Sequence, residues 1–340
     1  MQQLLTFNQS GIYCEKGDFY IDPWKKVKHA IITHAHSDHA RRGNQYYLAH
    51  QDTVPILKQR LGKIHAEQIA YGVKFKIKGV TVSLHPAGHI IGSAQIRIEY
   101  KGEVWVVSGD YKLEDDGVAQ AFEPVKCDSF VSETTFGLPV YKWRPQKEVI
   151  ERINTWWNRN VREQRASVLY GYSLGKAQRI IQSIDSSIGP IYTHGAVENI
   201  NQAYREHGIA IKPTQRLIEV SSKNSFKGSL IIAPPSAEGG KWLKRLGDYS
   251  TGIASGWMAI RGMRRRRSVD RGFILSDHAD WNALNTAIKE SGASCIYLTH
   301  GYTTPLSRWL REQDIRAYEV KTAYGEELEE IVKEEPNENS

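Results

Sequence analysis

The chain has 340 residues, of which 40% are hydrophobic and 24% are charged, and these proportions are ordinary for a globular protein with a buried core. Cys14, Cys127 and Cys295 lie far apart and form no C-x-x-C pair, which argues against a disulfide framework and against a thiolate metal site. No apolar run of membrane-spanning length and no signal-peptide pattern occurs, so we expect a cytoplasmic protein with no membrane association. The net charge of +7 is compatible with a polyanionic partner but does not identify one.

Short apolar runs alternate with amphipathic stretches along the chain, and this alternation predicts an α/β fold. Strands are predicted at 28–33, 80–84, 94–100, 103–107, 128–132, 167–171, 229–233, 272–275 and 294–298. Helices are predicted at 146–163 and 281–291. Another helix begins at Thr304-Pro305, where threonine can cap a helix and proline suits its first turn.

A turn-rich, aromatic segment at 134–145 marks a domain boundary between the strands before it and the long helix after it. We expect residues 1–145 and 256–332 to form one domain, and residues 146–255 to form a second domain inserted into it. The polar, acidic residues 333–340 are expected to be a disordered tail.

The strongest chemical signal follows the first predicted strand, where His34, His36, Asp38 and His39 occur within six positions. A lone histidine at a strand end is more often structural than a ligand. Four imidazole and carboxylate groups in one tight loop are hard to accommodate without a cation, and zinc binds both kinds of group readily. The H-x-H-x-D-H spacing therefore predicts a metal site.

Further potential ligands end other predicted strands, namely His89, Asp110, His278 and His300. This repetition is physically reasonable, because functional groups in α/β proteins gather at the carboxyl ends of strands. His194 also lies in a T-H-G sequence and competes with His300 for the same role. Because a helix separates His300 from the segment that holds His278, we favour His300 and assign His194 a structural or substrate-contact role.

Several motifs together resemble a known superfamily. The order H-x-H-x-D-H, G-H-x-x-G-S-A and S-G-D resembles the metallo-β-lactamase superfamily, and SETTFG, SDHAD and THG resemble its β-CASP branch of nucleases. Over almost the whole chain, ARRG, EVWVVSGDYK, GKAQRI, SGWM-x-x-RG and SDHADW resemble bacterial DNA-ligase-associated exonucleases, which are relatives of the Artemis-type DNA nucleases. The resemblance implies an αββα metallo-β-lactamase sandwich with an inserted α/β β-CASP domain.

The resemblance also implies a role for each matched residue at a centre of two divalent metal ions, for which we expect zinc, with manganese as the alternative. The implied ligands are His34, His36 and His89 for the first ion, Asp38, His39 and His300 for the second, and Asp110 as the bridge. Glu133 and His278 match the acidic and histidine motifs of the β-CASP branch. We hypothesise that His278, polarised by Glu133, is the general acid.

The implied function is that of a metal-dependent DNA exonuclease that hydrolyses phosphodiester bonds with a hydroxide activated by two metal ions. We expect it to act on single-stranded ends, with 5′-to-3′ digestion favoured, in DNA repair or end processing. A DNA ligase and a helicase are expected partners in the same pathway. The alternatives are an RNA-processing β-CASP nuclease, because His300 would complete a second metal site as in those enzymes, and, more remotely, a small-molecule metallo-hydrolase or a non-catalytic nucleic-acid-binding protein.

Two segments are candidates for substrate contacts. Ser173 and Lys176 lie where a strand turns into a helix, and such a turn can hold a phosphate but is equally compatible with an ordinary connection. The second segment contains Arg261, Arg264, Arg265, Arg266 and Arg267. A run of arginines is commonly a solvated face, but beside a nuclease centre it favours contacts with successive phosphates.

Overall fold

The computed structural model describes residues 3–217, 226–262 and 268–321. The chain divides into two compact units, the first made of Met1–Tyr141 and His278–Ser340 and the second of Lys142–Asp277. The second unit is therefore an insertion in the chain of the first. Among the described residues, no helix is both long enough and apolar enough to cross a membrane.

The first unit begins with a six-stranded sheet whose strands lie side by side in chain order. Its strands are β1 (Thr6–Asn8), β2 (Gly11–Cys14), β3 (Phe19–Ile21), β4 (His29–Ile31), β5 (Tyr46–His50) and β6 (Ala66–Ile69). Pairing is antiparallel from β1 to β3 and parallel from β3 to β6. Helix α1 (Val54–Leu61) makes the crossover between β5 and β6, as a parallel pair requires.

A second sheet follows in the same unit. Its first five strands are β7 (Phe75–Ile77), β8 (Val80–Pro86), β9 (Ala94–Tyr100), β10 (Glu103–Val107) and β11 (Ser129–Thr134). Strands β7 to β10 pair antiparallel, and β10 pairs parallel with β11. This sheet is thus mixed, and both β10 and β11 point their carboxyl ends toward the same edge.

The second unit contains a parallel sheet with the strand order β14-β13-β15-β12-β16-β17. Its strands are β12 (Ala166–Tyr170), β13 (Ile191–Thr193), β14 (Gln215–Arg216), β15 (Leu230–Ala233), β16 (Tyr249–Ala254) and β17 (Arg271–Phe273). The α-helices of this unit that lie wholly among the described residues are α2 (Gln146–Arg162), α3 (Lys176–Ser183) and α4 (Gly195–Glu206). Strands alternating with helices produce this parallel arrangement, as expected for an α/β unit.

The return segment completes the first unit. It contains α5 (Trp281–Ser291), β18 (Cys295–Gly301), α6 (Thr303–Arg311) and β19 (Arg316–Glu319). Strand β18 pairs parallel with both β11 and β19, which extends the second sheet to seven strands. The carboxyl ends of β11 and β18 therefore lie side by side.

Two apolar cores show that the first unit is an αββα sandwich. Along β10, Trp105 and Val107 point into the core between the two sheets, whereas Val106 points into the core beneath α5 and α6. This alternation is the period-2 pattern of a strand buried on both faces. Leu284 of α5 and Leu306 of α6 cover that outer face.

The predicted strands and helices are all present, with ends that shift by a few residues. The domain boundaries differ more. The first unit ends at Tyr141 rather than at 145, and it resumes at His278 rather than at 256. The later return follows from the pairing of β17 with β16, which adds residues 271–273 to the sheet of the second unit. The predicted tail at 333–340 lies outside the described residues.

Candidate metal centre

The loop that follows β4 carries the first cluster of potential ligands, and contacts at both ends hold it in place. Asp22 accepts hydrogen bonds from the backbone N–H of Thr33 at 2.8 Å and from its hydroxyl at 2.6 Å. Asp22 has a positive φ of 44°, a conformation that aspartate tolerates better than most residues. On the other side of His34, a guanidinium nitrogen of Arg60 in α1 donates to the carbonyl of Ala35.

Three imidazoles converge beside this loop. Nδ1 of His36 lies 3.1 Å from Nε2 of His34 and 3.0 Å from Nε2 of His89. His89 is held by its backbone N–H, which donates to the hydroxyl of Ser93 at 3.1 Å. With Asp110, these three residues offer ligand atoms that lie within 4.8 Å of one another.

A second group of potential ligands lies next to the first and consists of Asp38, His39 and His300. The rings of His39 and His300 stack with their centroids 5.1 Å apart. His300 is the second-last residue of β18 and has a positive φ of 53°, and this sharp turn near the end of the strand directs its side chain toward His39.

The carboxylate of Asp110 lies between the two groups. Its Oδ2 atom is 3.4 Å from Nε2 of His34 and 3.7 Å from Nε2 of His89. Its Oδ1 atom is 3.3 Å from Nε2 of His39. One oxygen therefore faces each group, which is the geometry required of a bridging carboxylate.

A third group of potential ligands consists of Asp110, Glu133 and His278. Nδ1 of His278 lies 2.9 Å from Oε2 of Glu133 and 3.9 Å from Oδ2 of Asp110. Glu133 is buried and also accepts a hydrogen bond from the backbone N–H of Tyr111 at 2.7 Å. The side chain of His278 keeps 15% of its surface exposed, so it can meet a substrate while Glu133 holds it.

The electrostatics of the centre separate the histidines into two kinds. Burial lowers the pKa of His34 well below its usual value and also lowers the pKa of His300, so both favour the neutral form that binds metals. Burial acts on His39 in the same direction, but the carboxylates of Asp110 and Asp38 outweigh it and raise the pKa of His39 well above its usual value. Burial raises the pKa of Asp110, yet His39 and His278 hold it well below its usual range.

The residues present fit a pair of divalent cations. Nε2 of His39 is buried and has no hydrogen-bond partner among the described residues, although carboxylate oxygens of Asp38 and Asp110 lie 3.5 and 3.3 Å away. An unpaired buried nitrogen next to two carboxylates is costly unless a cation binds it. Imidazole and carboxylate ligands suit zinc and other first-row divalent metals.

Asp22 is a candidate residue of the site that the sequence did not reveal. Its Oδ2 atom lies 2.7 Å from Nδ1 of His39, so it fixes the ring whose Nε2 points at Asp110. Histidines that bind metals usually have such a carboxylate or carbonyl partner on the other nitrogen. Asp22 is an isolated aspartate directly after a three-residue strand, and the only available signal was its position at a strand end.

The residues predicted to contact the substrate differ in their exposure to solvent. The ammonium of Lys176 is buried and lies 2.6 Å from Oδ2 of Asp277, whose Oδ1 atom lies 2.8 Å from a guanidinium nitrogen of Arg179. Lys176 therefore does not present its charge to solvent. Ser173 is partly exposed and Arg261 is exposed. Arg264, Arg265, Arg266 and Arg267 lie outside the described residues.

His194 belongs to the second unit, is not a member of the three ligand groups, and has a local structural role. Its Nδ1 atom accepts a hydrogen bond from the backbone N–H of Ala196 at 3.3 Å, so His194 is the N-cap of α4. Within the first unit, the structure places His300 beside His39.

Known proteins resemble this chain in sequence. A protein from Opitutus terrae described as "Probable DNA ligase" is 29% identical over 314 residues, which are 91% of this chain and 30% of that protein. Cleavage and polyadenylation specificity factor subunit 3 from Dictyostelium discoideum is 29% identical over 131 residues, 38% of this chain and 16% of that protein. An RNase J-like protein from Methanocaldococcus jannaschii is 24% identical over 225 residues, 54% of this chain and 51% of that protein. The chain thus spans a minor part of the first two relatives.

A solved structure shares the fold of this chain. A crystal structure of a protein of unknown function from Enterococcus faecalis superimposes with a TM-score of 0.59 at 12% identity, over 88% of this chain and 80% of that one. No family model matches the chain. The αββα sandwich, the inserted parallel-sheet unit and the sequence relatives identify the lineage. The chain belongs to the β-CASP branch of the metallo-β-lactamase superfamily.

Proposed function

We propose that this protein is a metal-dependent nuclease that hydrolyses phosphodiester bonds. The observation that carries the proposal is the position of Asp110, whose two oxygens face separate groups of potential ligands. Glu133 and His278 lie beside the same carboxylate. A centre with two adjacent cation sites and a neighbouring acid–imidazole pair suits the hydrolysis of a phosphodiester.

The two cations would be held by His34, His36 and His89 on one side, by Asp38, His39 and His300 on the other, and by Asp110 between them. Zinc is the proposed metal and manganese the alternative, because the ligands are imidazoles and carboxylates. Bound there, two divalent ions would lower the pKa of water and neutralise negative charge on the phosphate.

His278 would donate a proton to the departing oxygen of the substrate. Oε2 of Glu133 lies 2.9 Å from Nδ1 of His278. A hydrogen bond from Nδ1–H to this carboxylate would stabilise the imidazolium and fix the orientation of the ring. Nε2 of His278 would then carry the proton that is transferred. Such an acid contributes because an alkoxide is a poor leaving group at neutral pH.

DNA is the proposed substrate, and exonucleolytic cleavage of single-stranded ends from the 5′ end is the proposed mode. The relative described as a probable DNA ligase supports DNA, because its similarity extends over 91% of this chain. That relative is also much longer than this chain, which supports a DNA ligase as a partner in the same pathway. A helicase partner rests only on the resemblance of the motifs.

RNA is the alternative substrate. The relatives described as a polyadenylation specificity factor subunit and as an RNase J-like protein favour it, as does the presence of His300 beside His39. A small-molecule hydrolase is a third candidate, which the inserted second unit does not favour.

Matched oligonucleotides would test this proposal directly. The protein is stripped with a chelator, reloaded with zinc or manganese, and incubated with DNA and RNA strands of the same sequence labelled at either end. We expect metal-dependent release of nucleotides from the 5′ end of single-stranded DNA, and no cleavage by Asp110→Asn. Preferential cleavage of RNA would support the alternative, and hydrolysis of neither polymer by the reloaded protein would exclude a nuclease.

A further inference from the structure

Two tryptophans meet at the surface of the first unit. Trp281 is the first residue of α5 and Trp309 lies on α6, with ring centroids 5.7 Å apart and ring planes at 56°. Trp309 is 40% exposed, whereas tryptophan is highly buried on average in folded proteins. Helix α6 already anchors itself in the core through Leu306 and Leu310, so core packing does not account for the position of Trp309.

Asn285 holds the pair in one arrangement. The indole N–H of Trp309 donates to Oδ1 of Asn285 at 2.9 Å, and Nδ2 of Asn285 donates to the carbonyl of Trp281 at 2.7 Å. Both ends of the amide are thus engaged, and the exposed ring is oriented before any ligand binds. An aromatic surface that is ordered in advance loses little entropy on binding.

A short stretch of chain joins the pair to the candidate metal centre. Trp281 follows His278 by three residues, and three residues of extended chain reach at most about 11 Å. The backbone N–H of Trp281 donates to the carbonyl of Tyr141 at 3.2 Å, and Asp280 caps α5 by accepting from the N–H of Ala283 at 2.9 Å. Because a stacked strand advances about 3.4 Å per nucleotide, about three nucleotides are enough to cover the separation between the backbones of His278 and Trp281.

An exposed cation precedes Trp309 in the chain. The side chain of Arg308 is 83% exposed and pairs with Glu312 at 3.2 Å. Such exposed ion pairs contribute little to stability, so a phosphate can replace Glu312 as the partner of the guanidinium. An aromatic ring flanked by an arginine is the usual composition of a surface that binds single-stranded nucleic acid.

We propose that Trp309, supported by Trp281 and preceded in the chain by Arg308, is a stacking subsite for an unpaired base of the strand that is cleaved at the metal centre. The proposal rests on the proposed nuclease function and identifies the form of the substrate as single-stranded. Every base has a π face, so this subsite selects unpaired strands and not a particular sequence.

An abasic scan tests the subsite. A set of single-stranded oligonucleotides, each with one abasic position, is cleaved by the metal-loaded protein and by Trp309→Ala. We expect one abasic position to lower kcat/KM of the unaltered protein, mainly through KM, and Trp309→Ala to lower kcat/KM for intact strands by roughly 5- to 140-fold. The variant should be insensitive to that abasic position, and Trp309→Phe should restore most of the loss.

The controls separate the two proposals. Tyr318→Ala removes an exposed aromatic residue from β19 of the same unit and should leave the abasic profile unchanged. Equal abasic profiles for the unaltered protein and Trp309→Ala would overturn the stacking subsite while the nuclease stands. Failure of the unaltered protein to cleave any oligonucleotide would overturn the nuclease and the subsite together. Loss of binding to another protein, with an unchanged abasic profile, would make the pair a protein-docking surface and would also overturn the subsite.

Discussion

Nδ1 of His278 lies 2.9 Å from Oε2 of Glu133, a buried carboxylate that is 145 positions earlier in the chain. This contact gives His278 a partner that can stabilise its protonated form. The ring is close to Asp110 but partly exposed, unlike the buried rings of His34 and His89. The geometry therefore distinguishes His278, the proposed proton donor, from His34 and His89, the proposed ligands.

His278→Ala should slow cleavage of an oligonucleotide by roughly a hundred- to ten-thousandfold, the usual contribution of a positioned general acid, with both metal ions retained. A thymidine diester with a p-nitrophenolate leaving group needs no proton and should be much less affected. Glu133→Gln should show the same dependence on the leaving group, with a smaller loss. Equal losses on both substrates, or loss of a metal ion, would instead make His278 a ligand.

His36→Ala and Asp110→Asn should each reduce hydrolysis by at least about a hundredfold, because no other group at neutral pH replaces a metal-activated water. Elemental analysis should show that His36→Ala loses metal from one site, whereas Asp110→Asn weakens both. His194→Ala is a matched control, because His194 caps α4 and lies outside the ligand groups. If His36→Ala retained near-native activity after chelation and reloading, the ligand assignment would be wrong.

Asp22→Asn should weaken metal binding by roughly 10- to 100-fold, the range found when the hydrogen-bond partner of a metal-binding histidine is removed. The amide cannot stabilise the ring of His39 as the carboxylate does at 2.7 Å. Competition with a chromogenic chelator measures this affinity. Asp52→Asn is the control, since the carboxylate of Asp52 lies 3.6 Å from His50 and belongs to none of the ligand groups; equal affinities for the two variants would contradict the role of Asp22.

Arg60→Met should destabilise the protein by about 1–3 kcal/mol, because it leaves the carbonyl of Ala35 without its charged donor. The same change should weaken metal binding, since Ala35 lies between two of the potential ligands. Arg60→Lys should recover part of both losses. Chemical denaturation and chelator competition report the two effects, with Lys58→Met on the exposed side of α1 as the control. A stability loss without any change in metal affinity would limit Arg60 to a packing role.

Replacing Arg264, Arg265, Arg266 and Arg267 by alanine should weaken oligonucleotide binding and flatten its dependence on salt. Each lost phosphate contact should reduce the slope of log affinity against log salt by about 0.7 for a single strand. Fluorescence anisotropy at several salt concentrations measures the slope. An unchanged slope would show that the arginine block is only a solvated face.

The local sequence determined much of the candidate site and of the fold. Four potential ligands in the loop from His34 to His39 need no tertiary information, because they lie within six positions of one another. His89, Asp110 and His300 were recognisable because each ends an apolar strand, and parallel strands bring such ends to one edge. The alternation of apolar residues also predicted β9 and β10 to the residue.

Only the tertiary structure decided which distant residues support these groups. Asp22 reaches His39 because β3 pairs parallel with β4, and no local pattern marks a lone aspartate for that role. Lys176 resembles a phosphate ligand in sequence, but the fold buries its ammonium group against Asp277, 101 positions away. The position at which the chain re-enters the first unit depends on the pairing of β17 with β16. The local sequence of either strand does not indicate its partner. The local spacing of residues in the sequence indicates which potential ligands are present. The long-range pairing of strands determines which charged side chains contact one another in the interior and which remain exposed to solvent.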